Sequence, residues 1–230
     1  MFHLNCYLRG SYDSPFIKSF RRARVKFYFT SIVNLLKVNA IIGSKCAFFS
    51  MSNIILPLIG VWWSLPLVIL GFFAKGLVRG LFITETIFTP LAYHIPTICA
   101  SLYWQVESRL LKILIPLLCM AFFQLHVIGG QAWWYSCYWL IPVFIQFIPQ
   151  QSLFLKALGS TFTAHAVGSV LWLYWVPMTP AMFWGLMPIV MIERLLYACG
   201  LVLVYSLIDW LTAKLSTTSR AIGSVKGSVA

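Results

Sequence analysis

Apolar residues fall in seven long stretches along the chain, at roughly 38–59, 65–83, 87–104, 110–128, 133–148, 153–176 and 182–211, separated by short breaks rich in Pro, Gly or aromatic residues. Helices of about twenty apolar residues cross a hydrocarbon core of about 30 Å. The pattern therefore predicts an all-α fold, a polytopic transmembrane helical bundle. Ahead of the first stretch, Phe16, Phe20, Ala23 and Phe27 recur at helical spacing, with Lys18, Arg21, Arg22, Arg24 and Lys26 on the remaining faces. This reads as a basic helix lying on the cytoplasmic membrane surface. The alternative is a charged leader that only sets orientation.

The basic residues decide how many stretches cross. Seven crossings from a cytoplasmic N-terminus put Arg109, Lys112, Lys214, Arg220 and Lys226 outside, against the positive-inside tendency. If 87–104, with Pro90, His94 and Pro96, is a broken or re-entrant segment that returns to its own side, six spans remain. Lys75, Arg79, Arg109, Lys112, Lys156 and the basic tail then gather near the cytoplasm. The outer loops become 60–64, 129–135 and 176–181, where Trp62, Trp63, Trp133, Trp134 and Tyr135 form an interfacial aromatic belt. The expected organisation is a basic cytoplasmic leader at 1–31, a transmembrane domain at 32–213 and a disordered basic tail at 214–230.

Composition agrees with this arrangement. The chain is 60% hydrophobic with 17 basic and 5 acidic residues, which excludes an ordinary soluble domain. The net charge of +12 borders apolar segments, so it points to anionic lipid headgroups and topology, and not to nucleic acid. The six cysteines are widely separated with no CxxC pair, and read as buried free thiols. The first long apolar run starts only after about thirty residues, so a cleaved secretory signal is not expected.

Ionisable groups at membrane depth cost about 2.5–3.5 kcal/mol on insertion scales, so they turn toward a cavity or a partner. Glu193 and Arg194 sit between Pro188-Ile189-Val190-Met191-Ile192 and Leu195-Leu196, and His165 sits in Thr161-Phe162-Thr163-Ala164-His165-Ala166-Val167-Gly168-Ser169. His165 lies eleven residues before Val176 and Glu193 eleven after Met182. At about 1.5 Å rise per residue both lie roughly 16 Å below the outer surface, near the midplane. The functional expectation is that His165, Glu193 and Arg194 form the polar floor of an outward-open ligand cavity with Trp172, Trp175 and Trp184 as aromatic walls. In the alternative, Glu193 and Arg194 fix packing and His165 is a satisfied core histidine. Asn53, Glu85, His94, Gln124 and His126 are weaker candidates, each also explicable as a helix-end or interhelical group.

In the first span, Ala40-x-x-x-Ser44 and Gly43-x-x-x-Ala47 make a small-residue face suited to a partner helix or to packing within the chain, and Lys45 beside them must snorkel or line a polar path. The inventory does not suggest an enzyme or a resident cofactor. No helix carries two histidines and no CxxCH occurs, which leaves haem a minor alternative. Metal-dependent lipid chemistry wants clustered carboxylates, and the chain has only Asp13, Glu85, Glu107, Glu193 and Asp209. With no GxxxxGK[ST], any ATP must be hydrolysed by another subunit.

A basic lead, a first span with small residues, Ile54-Ile55-Leu56-Pro57-Leu58-Ile59-Gly60 before an outer loop, and about six spans in 26.2 kDa resemble the substrate-binding subunits of energy-coupling-factor vitamin transporters over residues 30–212. Tyr135-Ser136-Cys137-Tyr138-Trp139-Leu140-Ile141-Pro142, residues 161–169 and Ile192-Glu193-Arg194-Leu195-Leu196 are more closely similar to segments of uncharacterised prokaryotic multi-pass membrane proteins, a resemblance that brings no activity with it. The transporter resemblance implies a helical bundle in the inner membrane of a bacterium or archaeon that captures a vitamin-like small molecule from outside. It also implies docking, through Ala40, Gly43, Ser44 and Ala47, onto a membrane scaffold driven by two ATPases. The chain departs from that family in its broken segment at 87–104 and its tryptophan load, and the ligand does not carry over. The runner-up is a membrane accessory or assembly protein with a structural polar core.

Overall fold

The computed structural model describes residues 94–228 without interruption, with side chains as far as Lys214, together with isolated helical positions between Pro57 and Leu77. The basic leader, the docking residues Ala40, Gly43, Ser44 and Ala47, and Lys45, Asn53, Lys75, Arg79 and Glu85 lie outside the described residues. Every regular element among the described residues is a helix, and there is no strand. In chain order they are α1 Ile95–Gln105, α2 Arg109–Leu125, α3 Val127–Gln131, α4 Trp133–Ser136, a 3-10 turn Cys137–Trp139, α5 Leu140–Ile145, α6 Leu153–Trp175 and α7 Pro180–Ser228.

Local chemistry sets the boundaries. Pro96 occupies the first turn of α1, where its missing N–H costs nothing. The eleven residues of α1 rise only about 16 Å, half the thickness of a hydrocarbon core. Ser152 caps α6 by accepting from the Leu155 N–H at 3.3 Å, and α6 runs 23 residues to Trp175, just ahead of Pro177. The stretch at 133–148, expected as one span, is instead a chain of short helices. Its entry at Gly129 brings the backbone so close to the Phe123 carbonyl that no side chain fits there.

Among the described residues one helix, Pro180–Lys214, is long and apolar enough to cross a membrane. α6 has the length, about 34 Å, but it carries Lys156, His165 and several Ser and Thr residues. α2 is shorter, at seventeen residues.

The chain divides into two compact units, one of residues 53–203 and one of residues 1–52 with 204–230. In the first, α6 is the central helix, packed against α1, α2 and α5. Its contact face is built of small residues, Gly159, Ser160, Thr161, Thr163 and Ser169. They bring backbones together: Ser160 Oγ donates across to Ala100 O of α1 at 3.1 Å, while Thr163 Oγ1 donates within α6 to Gly159 O at 2.8 Å. The core draws Cys119 and Phe123 from α2, Tyr135 and Trp139 from the short helices, Ala166 and Leu173 from α6, and Phe183 and Val190 from α7.

Large apolar residues also cover much of the outside of this unit. α2 buries Lys112, Pro116, Cys119 and Phe123 while Leu110, Leu114, Leu117, Leu118, Phe122 and Leu125 face outward, with Leu110 at 70% and Leu125 at 79% exposure. α7 likewise presents Ile189, Ile192, Leu195, Leu196 and Leu203. Apolar area left in water forfeits about 25 cal/mol per Å², and contiguous exposed patches of this kind mark a membrane or partner surface.

In the second unit, the described part is the continuation of α7 from Val204. The tail, expected to be disordered from 214, is helical to Ser228. No proline follows Pro188 to break the helix.

Candidate functional site

His165 and Ser169 stand at i and i+4 on α6 and so share a face. The short helix α4 delivers Tyr135 onto that face. Tyr135 Oη lies 3.0 Å from His165 Nε2 and 3.4 Å from Ser169 Oγ, and Ser169 Oγ is 3.4 Å from His165 Nε2. The three polar tips close a triangle inside apolar surroundings. The Tyr135 ring is held by Phe123, Trp139 and Phe183, at centroid distances of 5.8, 6.3 and 5.0 Å. Offset and edge-to-face contacts of this kind fix a ring orientation.

The fourth side of the cluster is α7. Phe183, Met187, Val190, Arg194, Tyr197 and Leu201 follow one another at alternating spacings of four and three, the period of a helix stripe that faces its neighbours. Phe183, Val190, Tyr197 and Leu201 are buried, and Tyr138 Oη donates to the Met187 carbonyl at 3.1 Å. Arg194 occupies a position in this stripe that would otherwise suit an apolar side chain. Its side chain is 13% exposed, that of Glu193 18%, and the two form an ion pair. The guanidinium also lies 4.8 Å from the Tyr197 ring centroid, within cation–π range. The charges of both residues act on Tyr135, and that of Arg194 acts on His165.

Of the residues expected at the site, the structure thus brings His165, Glu193 and Arg194 into one electrostatic neighbourhood. The tryptophans divide: Trp172 is partly buried on α6, whereas Trp175 and Trp184 are turned outward, 52% and 46% exposed. Tyr135 and Ser169 are new members. Ser169 was detectable as the polar residue one turn beyond His165. Tyr135, expected in the interfacial belt, is buried at 3% exposure, while Trp133 and Trp134 are 42% and 50% exposed and stack on one another. Gln124 and His126 have local roles: Gln124 Nε2 donates to Ser136 Oγ at 3.0 Å, and His126 Nδ1 accepts from the Ile128 N–H at 3.2 Å at the start of α3. His94 stands at the N-cap of α1.

The site is rich in donors. Arg194 Nε and Trp139 Nε1 are buried with no hydrogen-bond acceptor among the described residues, and both residues border Tyr135. A buried donor without an acceptor costs about 1–3 kcal/mol. Ser169 and His165 do not resemble an activated nucleophile: their separation is long, Tyr135 competes for the same ring nitrogen, and no carboxylate is hydrogen-bonded to His165 among the described residues. Those residues also contain no group of three or more His, Cys, Asp or Glu placed to hold a metal ion. The arrangement suits recognition of hydrogen-bond acceptors. Comparison with protein families, curated proteins and solved structures yields no match to this chain.

Proposed function

We propose that the protein is a multi-pass inner-membrane protein that captures a small, vitamin-like solute bearing hydrogen-bond acceptors at the Tyr135–His165–Arg194 cluster, and that it has no nucleotide chemistry of its own. The observation that carries this reading is the pair of unspent buried donors, Arg194 Nε and Trp139 Nε1. A carboxylate or carbonyl group on a solute would satisfy them. The outward leucines of α2 and the apolar length of α7 support the membrane placement. The half-length of α1 supports a re-entrant segment and hence six spans with both termini cytoplasmic. In the same reading Ala40, Gly43, Ser44 and Ala47 dock the chain onto a scaffold subunit coupled to ATPases.

The deciding experiment is mass spectrometry of small molecules retained by the purified full-length protein, wild type against Trp139→Phe and His165→Ala. Trp139→Phe removes one N–H and keeps an aromatic ring. The reading expects a specific solute on the wild type and a roughly tenfold loss of retention in Trp139→Phe, compared at a temperature where thermal unfolding shows both proteins fully folded. A C-terminal reporter enzyme active only in the cytoplasm tests the six crossings and should be active.

A second reading, a structural polar core in an accessory or assembly protein, is favoured by one feature: Tyr135, His165 and Ser169 satisfy one another and Glu193 pairs with Arg194. It expects no retained solute, and variants that change stability alone.

A further inference from the structure

At the opposite end of α6 from Trp175, two lysines stand in the opening turns of helices that pack on one another. Lys112 is the fourth residue of α2 and Lys156 the fourth of α6, and their like charges act on one another. Both helices begin at this end, so their positive dipole ends add to the lysine charges. The first turn of a helix ordinarily favours Asp or Glu, yet neither first turn contains an acidic residue. Lys112 is only 8% exposed. Among the described residues neither ammonium has a carboxylate within ion-pair distance, although the exposed Glu107 acts on Lys112 through space.

What holds the lysines is aromatic. The Lys112 Nζ lies 4.9 Å from the Tyr103 ring centroid and the Lys156 Nζ 5.1 Å from that of Trp104. Tyr103 is itself fixed, because Gln146 Nε2 donates to its Oη at 2.6 Å. Stacking over a ring orients an ammonium and leaves its N–H donors available. Two ring-stacked ammonium groups of like sign, each in the opening turns of a helix, favour an anion.

We propose that Lys112 and Lys156 bind a phosphate group, presented by a phospholipid headgroup or as free phosphate. The aromatic flanks and the apolar faces that start here match the depth of a headgroup layer. The inference uses neither Tyr135 nor Arg194, so it stands or falls apart from the solute site.

The test is titration of the full-length protein in detergent micelles with short-chain phosphatidylglycerol, with phosphate-free diacylglycerol and with inorganic phosphate, followed by native mass spectrometry and thermal unfolding. Phosphatidylglycerol should bind in preference to diacylglycerol. Lys112→Met and Lys156→Gln should each weaken that binding about fivefold, while Lys156→Arg keeps it. Inorganic phosphate that binds with the same lysine dependence and displaces the lipid would identify free phosphate as the ligand; phosphatidylglycerol binding that resists it would identify the headgroup. Should Lys112→Met fail to fold, the partly exposed Lys156 carries the test alone. Equal binding of phosphatidylglycerol and diacylglycerol with no phosphate binding, or lipid binding unchanged in Lys156→Gln, overturns the proposal.

Discussion

Tyr103 stands so close to Gly159 that a Cβ on the glycine would collide with the phenol, whose oxygen at the same time accepts a hydrogen bond from Gln146. This contact joins α1 to the central helix α6 and holds the ring beneath Lys112. Gly159→Ala must push the phenol off Gln146, and overpacking of this kind costs about 1–3 kcal/mol. Gly168→Ala is its control, since a Cβ there meets only Pro96, with Cγ at 3.6 Å. Thermal unfolding in detergent should drop for Gly159→Ala and hold for Gly168→Ala; equal effects would remove the special role of Tyr103.

Gly185 offers the reverse case. It lies inside α7, and a Cβ at this position would meet nothing within 4 Å, so the glycine serves no close approach. Gly185→Ala should raise stability by about 0.5–1 kcal/mol through the smaller entropy loss of alanine in a helix. Circular dichroism melting is the measurement, and a loss of stability would mean that another element comes close at this position.

At Tyr135 the hydroxyl and the ring can be separated. Tyr135→Phe keeps the packing against Phe123 and Phe183 and deletes the bonds to His165 and Ser169. Hydrogen bonds inside membrane proteins contribute about 0.6 kcal/mol on average, so the stability change should be small. Tyr135→Ala leaves a void among large rings and should cost about 3–5 kcal/mol. Comparable unfolding midpoints for the two variants would show that the aromatic packing is not what anchors α4.

Much of this was legible from the residues, for identifiable reasons. α6 ends within one residue of expectation because Ser152 caps it and Pro177 follows its end. Glu193, Arg194 and His165 stood out because charge and polarity inside apolar runs are expensive. Tyr135 was hidden: its burial depends on how the stretch 127–145 breaks into short helices, and beside Trp133 and Trp134 it looked like one more interfacial aromatic. Trp175 and Trp184, expected as cavity walls, stand about half exposed; tryptophan suits both lipid interfaces and cavities, and helical spacing alone does not say which neighbour a face meets.

The ion pair on α7 separates solute capture from packing. Glu193→Gln strips Arg194 of its counter-charge at a position where the side chain is 13% exposed and its Nε has no acceptor among the described residues. Removing one partner of a buried pair costs about 3–5 kcal/mol, whereas replacing both is often near neutral. The double variant Glu193→Gln, Arg194→Met should therefore unfold at a higher temperature than Glu193→Gln alone, because Met fills the stripe between Val190 and Tyr197 without a charge. Retained solute, read by mass spectrometry on the same samples, should not return with stability, since the guanidinium donors are gone. If solute retention recovers in the double variant along with the unfolding temperature, Arg194 acts only through the fold, and the capture site must be sought away from α7.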